Sequence, residues 1–178
     1  MKPRSGPIAF PTGLSTNNCA AHYSPNPGDK TVLQPSDVLK VGFGVQVKGK
    51  ILNSAYTMTF EPTYDSLLEA VKAGTNAGIK SILLVRNIDQ TKMEEGEYYA
   101  IDTFGSTGSG RVIDDDECSH FGKSFNSPPN PSIRLNSAHS FFKTINKNFG
   151  TLPFCRRHLD CAGETKNLLS TTGLRRRD

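Results

Sequence analysis

Alternation of apolar residues within residues 38–60 constrains the fold of this chain more than any other feature. Apolar side chains occupy every second position from Val41 to Val47, which is the pattern of a strand with one buried face. Lys48-Gly49-Lys50 then supplies a turn, and residues 51–60 are again rich in β-branched and aromatic side chains. These residues predict a β-hairpin, whose register the pattern leaves open.

Three other segments have helical character. Residues 63–79 and residues 137–149 repeat apolar side chains at the spacing of an amphipathic helix, and Gly150 follows the second segment as a helix stop. A third, shorter helix is predicted within residues 155–169. The candidate N-terminal caps are Thr63 for the first helix and Asn136 or Ser137 for the second.

The remaining segments predict loops and short strands. Residues 5–30 are rich in Pro, Gly, Ser and Asn, which favours a loop with one short strand. A strand is expected at Ile82–Val85, and a further pair at Tyr98–Phe104 and Arg111–Ile113, joined by the glycine-rich turn 105–110. Strand pairs combined with a few helices indicate an α+β domain.

Composition excludes several classes of function. The chain has 178 residues, enough for one domain, and a net charge of +4, too small to indicate a nucleic-acid partner. It contains no apolar run of membrane-spanning length, and Met1–Arg4 is not followed by the apolar core of a secretory signal, so a cytoplasmic protein without a membrane partner is expected. The cysteines form no zinc-binding pattern and are expected to be reduced thiols; they are Cys19, Cys118, Cys155 and Cys161.

No local motif identifies a reaction. The glycine-rich residues 105–110 lack the Lys-Ser/Thr ending of a phosphate loop. His22 lies in a loop, where a histidine is most often a hydrogen-bonding residue, and no nucleophile–histidine arrangement follows from spacing. From these residues alone the function stays open.

Longer motifs, taken in order, carry a resemblance. They are Ala9–Ser15 (AFPTGLS), Asn17–Asn26 (NNCAAHYSPN), Ser54–Phe60 (SAYTMTF), Met93–Glu97 (MEEGE), Thr103–Gly108 (TFGSTG), Glu117–His120 (ECSH) and Asn146–Arg157 (NKNFGTLPFCRR). On these motifs the chain resembles the type 2 methionine aminopeptidases over about residues 7–169. The resemblance implies one incomplete domain over residues 1–178, with a divergent tail at 170–178.

The family resemblance implies a pita-bread α+β fold, here partial, in which a curved antiparallel sheet holds two divalent cations. Cobalt, manganese, iron and zinc are the metals considered for that pair. Enzymes of this family remove the N-terminal methionine of nascent proteins, with a metal-bridging water as the attacking group. Two aspartates, one histidine and two glutamates hold the metals.

This sequence departs from the family at the metal ligands. Gly42 and Asn53 occupy the two aspartate positions. The ligand histidine belongs to a segment that is absent between the matches to Lys80 and Met93. The fourth ligand, a glutamate, corresponds to Asp102, and the fifth lies beyond the last residue. Asp102 is therefore the one carboxylate kept, and the metal pair is expected to be absent or weakly bound, because two such ions need bridging anions.

Two histidines of the family motifs are kept. His22 and His120 match them, and the resemblance assigns both to substrate binding, with no catalytic residue identified. The chain is expected to be a methionine aminopeptidase-like protein without activity. The alternatives are an active metal-dependent aminopeptidase and a non-catalytic pita-bread module that binds a nascent peptide N-terminus or the ribosome.

Overall fold

The predicted hairpin forms two strands of a three-stranded antiparallel sheet. The computed structural model describes residues 8–80, 94–113, 119–128 and 131–164. The sheet has the order β1-β2-β3, and its strands are β1 (Ile8–Thr16), β2 (Leu39–Val47) and β3 (Lys50–Met58). The hairpin prediction is confirmed, and β2 is its central strand.

A two-residue turn joins β2 to β3. Lys48 and Gly49 have positive φ angles of 51° and 81°, so both central residues are left-handed, as in the type I′ turns that match strand twist. Lys50, which the sequence placed in the turn, pairs with Val47 instead. Glycine at the second position removes the steric cost that a side chain would have there.

The register of the hairpin decides which side chains share a face. Gly42 lies opposite Ala55, and Asn53 lies opposite Gly44. Residues directly opposite in an antiparallel pair project to the same side, so Gly42 and Asn53 are diagonal neighbours on one face. The other face carries the apolar residues Val41, Phe43, Val45, Val47, Leu52 and Tyr56.

This apolar face is largely open to solvent. Phe43 is 42% exposed, and Leu52 on the neighbouring strand is 56% exposed. Along β3 the seven residues from Lys50 to Tyr56 are all exposed. The three-stranded sheet therefore buries little apolar surface within the described part of the chain.

Strand β1 is longer than the short strand expected in residues 5–30. Its pairing with β2 shifts register twice, on either side of Phe10. Pro11 lies at the second irregularity, which suits a residue without a backbone N–H, since proline is tolerated at bulges and edge strands. Residues 17–38, which connect β1 to β2, contain no helix or strand.

The hydrophobic core lies in the C-terminal half. Helix α2 (Asn136–Asn148) and the short α3 (Arg156–Cys161) flank a two-stranded antiparallel sheet of β4 (His120–Phe121) and β5 (Phe154–Cys155). Strand β5 also contacts β1, which joins the two sheets. The core side chains are Phe141, Phe154 and Leu159, with Ile145 and Phe149 packed against them.

Helix α1 (Asp65–Lys80) packs on the irregular segment around Thr103. A 3-10 turn at Pro62–Tyr64 precedes it, so the predicted cap Thr63 lies in that turn. The hydroxyl groups of Thr75 and Thr103 form a hydrogen bond. A β-carbon added to Gly105 would overlap Leu67 and Val71 of the helix, so this contact requires glycine. None of the helices in the described ranges is long and apolar enough to cross a bilayer.

The predicted strands at 98–104 and 111–113 are wrong. Both segments are irregular, so the glycine-rich residues 105–110 do not close a hairpin. The side chains of Tyr98 and Phe104 are 60% and 59% exposed, so both lie largely in solvent. Alternation indicates which side chains suit a strand, but a strand also needs a neighbour with free backbone groups.

The predicted caps of α2 are also wrong, although its extent is confirmed. Asn136 and Ser137 are helical, and Leu135 is the N-cap residue, without a side-chain hydrogen bond. Gly150 ends the helix as predicted, with a φ of 60° and an N–H that donates to Ile145. The short helix expected within residues 155–169 is present as α3, which ends at Cys161. The expected strand at 82–85 and the tail 170–178 lie outside the described residues.

Gly44 should be intolerant of alanine. A β-carbon there would overlap the Phe10 ring, with Phe10 Cζ 2.6 Å away. We expect Gly44→Ala to lower the free energy of unfolding by about 1–3 kcal/mol, measured by urea denaturation. Gly74→Ala is the control, because no atom lies near its added carbon and alanine favours a helix interior by about 0.5–1 kcal/mol. Equal effects of the two changes would contradict the packing at Gly44.

Candidate functional site

The structure brings together His22 and His120, which are far apart in sequence. Their ring centroids are 5.8 Å apart, with the ring planes tilted by 35°. His120 lies on β4, and His22 lies in the connection that follows β1. These are the two residues that the resemblance assigned to substrate binding.

Backbone hydrogen bonds fix the His22 loop between β1 and the start of β4. Leu14 N–H donates to Tyr23 O at 2.7 Å, and Ser119 N–H donates to His22 O at 3.2 Å. His22 has a φ of 62°, a left-handed conformation that is uncommon for residues other than glycine. Contacts on both sides of His22 hold the backbone in this conformation.

Ser24 connects the loop, strand β1 and the His120 ring. Its hydroxyl donates to Thr12 O at 2.6 Å and lies 2.8 Å from His120 Nε2. Its backbone N–H donates to Ser119 Oγ at 2.5 Å. Ser24 and Ser119 are both buried. Sequence reasoning missed these serines, because their only signal is that each lies in a family motif beside a histidine.

His120 and His158 favour their neutral forms. Burial, with smaller contributions from the nearby His22 and His158, lowers the pKa of His120 to about 4. Burial also lowers the pKa of His158, with a contribution from Arg157. A neutral imidazole has one donor and one acceptor nitrogen. At neutral pH, His120 is therefore a hydrogen-bonding group and carries no positive charge.

Gly13 relates the histidines to the sheet. Gly13 pairs with Gly42, and a β-carbon on Gly13 would be 3.8 Å from His120 Cε1. Since opposite residues share a face, His120 lies on the side of the sheet that also carries Gly42 and Asn53. We call this side the histidine face. The two positions that the resemblance gives to aspartates thus lie on the same side of the sheet as His120, and neither residue there has a carboxylate.

Asp102 is placed in the irregular segment beside α1, with an exposed side chain. Across the described ranges, no three His, Cys, Asp or Glu side chains are close enough to hold a metal ion together. Asp102 therefore does not join the histidines in such a cluster. The groups that the described residues bring to this site are the Asn53 amide, serine hydroxyls and imidazoles, which can form hydrogen bonds but supply no negative charge to a metal ion.

Two surface cavities formed by the described residues lie away from this site. A surface cavity of about 380 Å³ lies at the hairpin tip, lined by Val47, Lys48, Lys50, Leu52 and Tyr98. A second, of about 260 Å³, lies beside α2, lined by Gly122, Lys123, Ser124, Ser127, Phe142, Ile145 and Phe154. Neither lining includes His22 or His120. Hydrogen-bond geometry identifies the candidate site better than cavity size does.

Comparison with known proteins identifies the relatives of this chain. Residues 3–94 match the model of metallopeptidase family M24. The chain is 50% identical to Methionine aminopeptidase 2 of Schizophyllum commune over 94% of its own length and 52% of that protein. It is also 50% identical to the protein of the same name from Laccaria bicolor, over 94% of its own length and 61% of that protein. It is 44% identical to the Kluyveromyces lactis protein of that name, over 97% of its own length and 54% of that protein. The chain thus spans little more than half the length of these curated relatives.

The alignments also reveal an internal difference in length. The match to the Schizophyllum commune protein extends over 220 positions, whereas 94% of 178 residues is only about 167 residues. The relative therefore carries about 53 residues inside the matched region that this chain lacks. An internal loss of this size agrees with the segment expected to be absent between Lys80 and Met93.

Stability should fall as the pH is lowered from 7 to 5. The pKa of His120 is about 4 in the folded chain and 6.5 in the unfolded chain, so below pH 6.5 the unfolded chain binds a proton that the folded chain does not. The ring is half-buried, and we expect a loss of about 1–2 kcal/mol by urea denaturation. His120→Gln should make the dependence shallower, with His158 leaving a remainder of the same sign. An unchanged slope in that variant would contradict the assignment to His120.

Proposed function

This chain belongs to metallopeptidase family M24 and is a relative of the type 2 methionine aminopeptidases, and on that premise we propose that it is an aminopeptidase-like protein without catalytic activity. The observation that carries the proposal is the pair Gly42 and Asn53 on the histidine face. The resemblance gives these two positions to metal-binding aspartates. Glycine has no side-chain ligand, and the asparagine amide is neutral.

Electrostatics explains why this loss matters. Two divalent cations about 3.5–4 Å apart, as in two-metal hydrolases, repel each other strongly unless anionic ligands bridge them. The resemblance assigns the family's histidine ligand to the segment that this chain lacks, so this histidine and both aspartates have no counterpart here. The residues present do not fit a metal pair, and no metal-activated water is available as the nucleophile.

The groups that remain suit binding. His120 is neutral near pH 7, and the His22 loop is fixed by backbone hydrogen bonds. Such a site can form hydrogen bonds to the N-terminal part of a peptide. We therefore propose a peptide N-terminus, including that of a nascent chain on the ribosome, as the partner, with neither a nucleic acid nor a membrane as a partner, in the cytoplasm. The fold proposed for this role is a partial pita-bread domain.

Purified protein should retain fewer than two equivalents of divalent metal. After dialysis, we expect elemental analysis for cobalt, manganese, iron and zinc to give well under one equivalent per chain, because the ligand positions lack carboxylates. A full-length type 2 methionine aminopeptidase treated in parallel is the positive control. Two tightly held equivalents per chain would show that other residues form the site.

Methionine release from Met-Ala or Met-Gly peptides should be absent. Without a metal-activated water, the described site offers no nucleophile that is effective at neutral pH, and a histidine alone can only position a substrate or transfer a proton. The assay measures free methionine with added cobalt or manganese, on protein purified free of host aminopeptidase. Metal-dependent turnover by such a preparation would overturn the proposal.

The double variant Gly42→Asp/Asn53→Asp sharpens this test. The register places the two new carboxylates diagonally on the histidine face, which rebuilds the paired aspartates. We expect no recovery of turnover, since the histidine ligand and its supporting residues remain absent. Turnover near that of an intact family member would mean that the absent segment is dispensable.

A further inference from the structure

The hydroxyl proton of Ser24 can be assigned from its two contacts. Ser24 Oγ has one hydrogen, and it lies 2.6 Å from Thr12 O and 2.8 Å from His120 Nε2. A carbonyl oxygen only accepts hydrogen bonds, so the Ser24 hydrogen points to Thr12. The contact with His120 then requires a hydrogen on Nε2, which donates to Ser24 Oγ. In a neutral ring this leaves Nδ1 as the acceptor nitrogen.

Two observations make this assignment relevant at neutral pH. Burial, with His22 from the loop and His158 from α3, keeps the pKa of His120 well below 7, so the ring has two neutral tautomers to choose between. The direction of the serine hydroxyl is also fixed, because its acceptor Thr12 O is a backbone atom of strand β1. The hydroxyl could donate to the ring only by giving up its hydrogen bond to Thr12 O.

We propose that Ser24 is a positioning residue that holds His120 in the Nε2–H tautomer and so makes Nδ1 the hydrogen-bond acceptor of the site. Thr12 O on β1 orients the Ser24 hydroxyl, and the hydroxyl oxygen then accepts the hydrogen bond from His120 Nε2. The resulting tautomer determines which nitrogen accepts a hydrogen bond from a ligand or a neighbouring group. The tautomer is a property of the protein without a ligand, so it does not depend on peptide binding.

Long-range ¹H–¹⁵N correlation spectra of the histidine rings at pH 7 test the proposal directly. The chain has four histidines, and His120→Gln assigns the His120 signals by their loss. We expect the parent to show a protonated Nε2 and an unprotonated Nδ1 at His120. A predominantly Nδ1-protonated ring in the parent would overturn the proposal, whether or not any Ser24 variant folds.

Variants separate the hydroxyl from general packing. Ser24→Ala should give a mixture of the two tautomers, and Ser24→Thr, which keeps the hydroxyl, should restore the parent pattern. Ser119→Ala is the matched control, because Ser119 is a buried serine of the same network whose hydroxyl contacts Ser24 N and His22 O, with no bond to the ring. A parent-like tautomer in Ser24→Ala, or an equal mixture in Ser119→Ala, would overturn the role of the Ser24 hydroxyl.

Discussion

Antiparallel pairing of β1 with β2 is the interaction on which the site depends. It sets Gly13 opposite Gly42, and Gly13 lies next to the His120 ring on the histidine face. The same strand offers Thr12 O to Ser24 and Leu14 N–H to Tyr23 O, so β1 also fixes the loop that carries His22. Through its contact with β5, β1 ties this region to the aromatic core.

Sequence periodicity was sufficient for the elements that form through local or adjacent contacts. The hairpin and the extents of α1 and α2 follow from repeats of two and of about 3.6 residues. Periodicity failed at Tyr98–Phe104, where the alternating pattern has no strand beside it. Residue type failed to predict the N-cap of α2. Asn136 suits a cap, but the helix begins one residue earlier than predicted, so Asn136 is helical and Leu135 is the N-cap residue.

Site geometry depends on contacts between distant parts of the chain, which no local pattern contains. The motif resemblance assigned His22 and His120 to substrate binding, but their approach to each other depends on how β1, β4 and the loop meet. Whether Gly42 and Asn53 lie side by side depended on the hairpin register, which the two-residue turn determines. Ser24 had no distinguishing signal at all, since a serine becomes a positioning group only through the atoms around it.

Among the described residues, β3 is an edge strand with one paired side, which has a consequence for how long such a chain would persist in a cell. From Lys50 to Met58 this strand has one charged residue, at its first position, and it ends the described sheet on its outer side. Edge strands with apolar side chains and few charges are templates for pairing between molecules. The concentration of free chain would then be limited by self-association and by the chaperones and proteases that act on exposed strands. The amount of ligand bound in a cell would then depend more on the concentration of free chain than on the affinity of the site at the histidines.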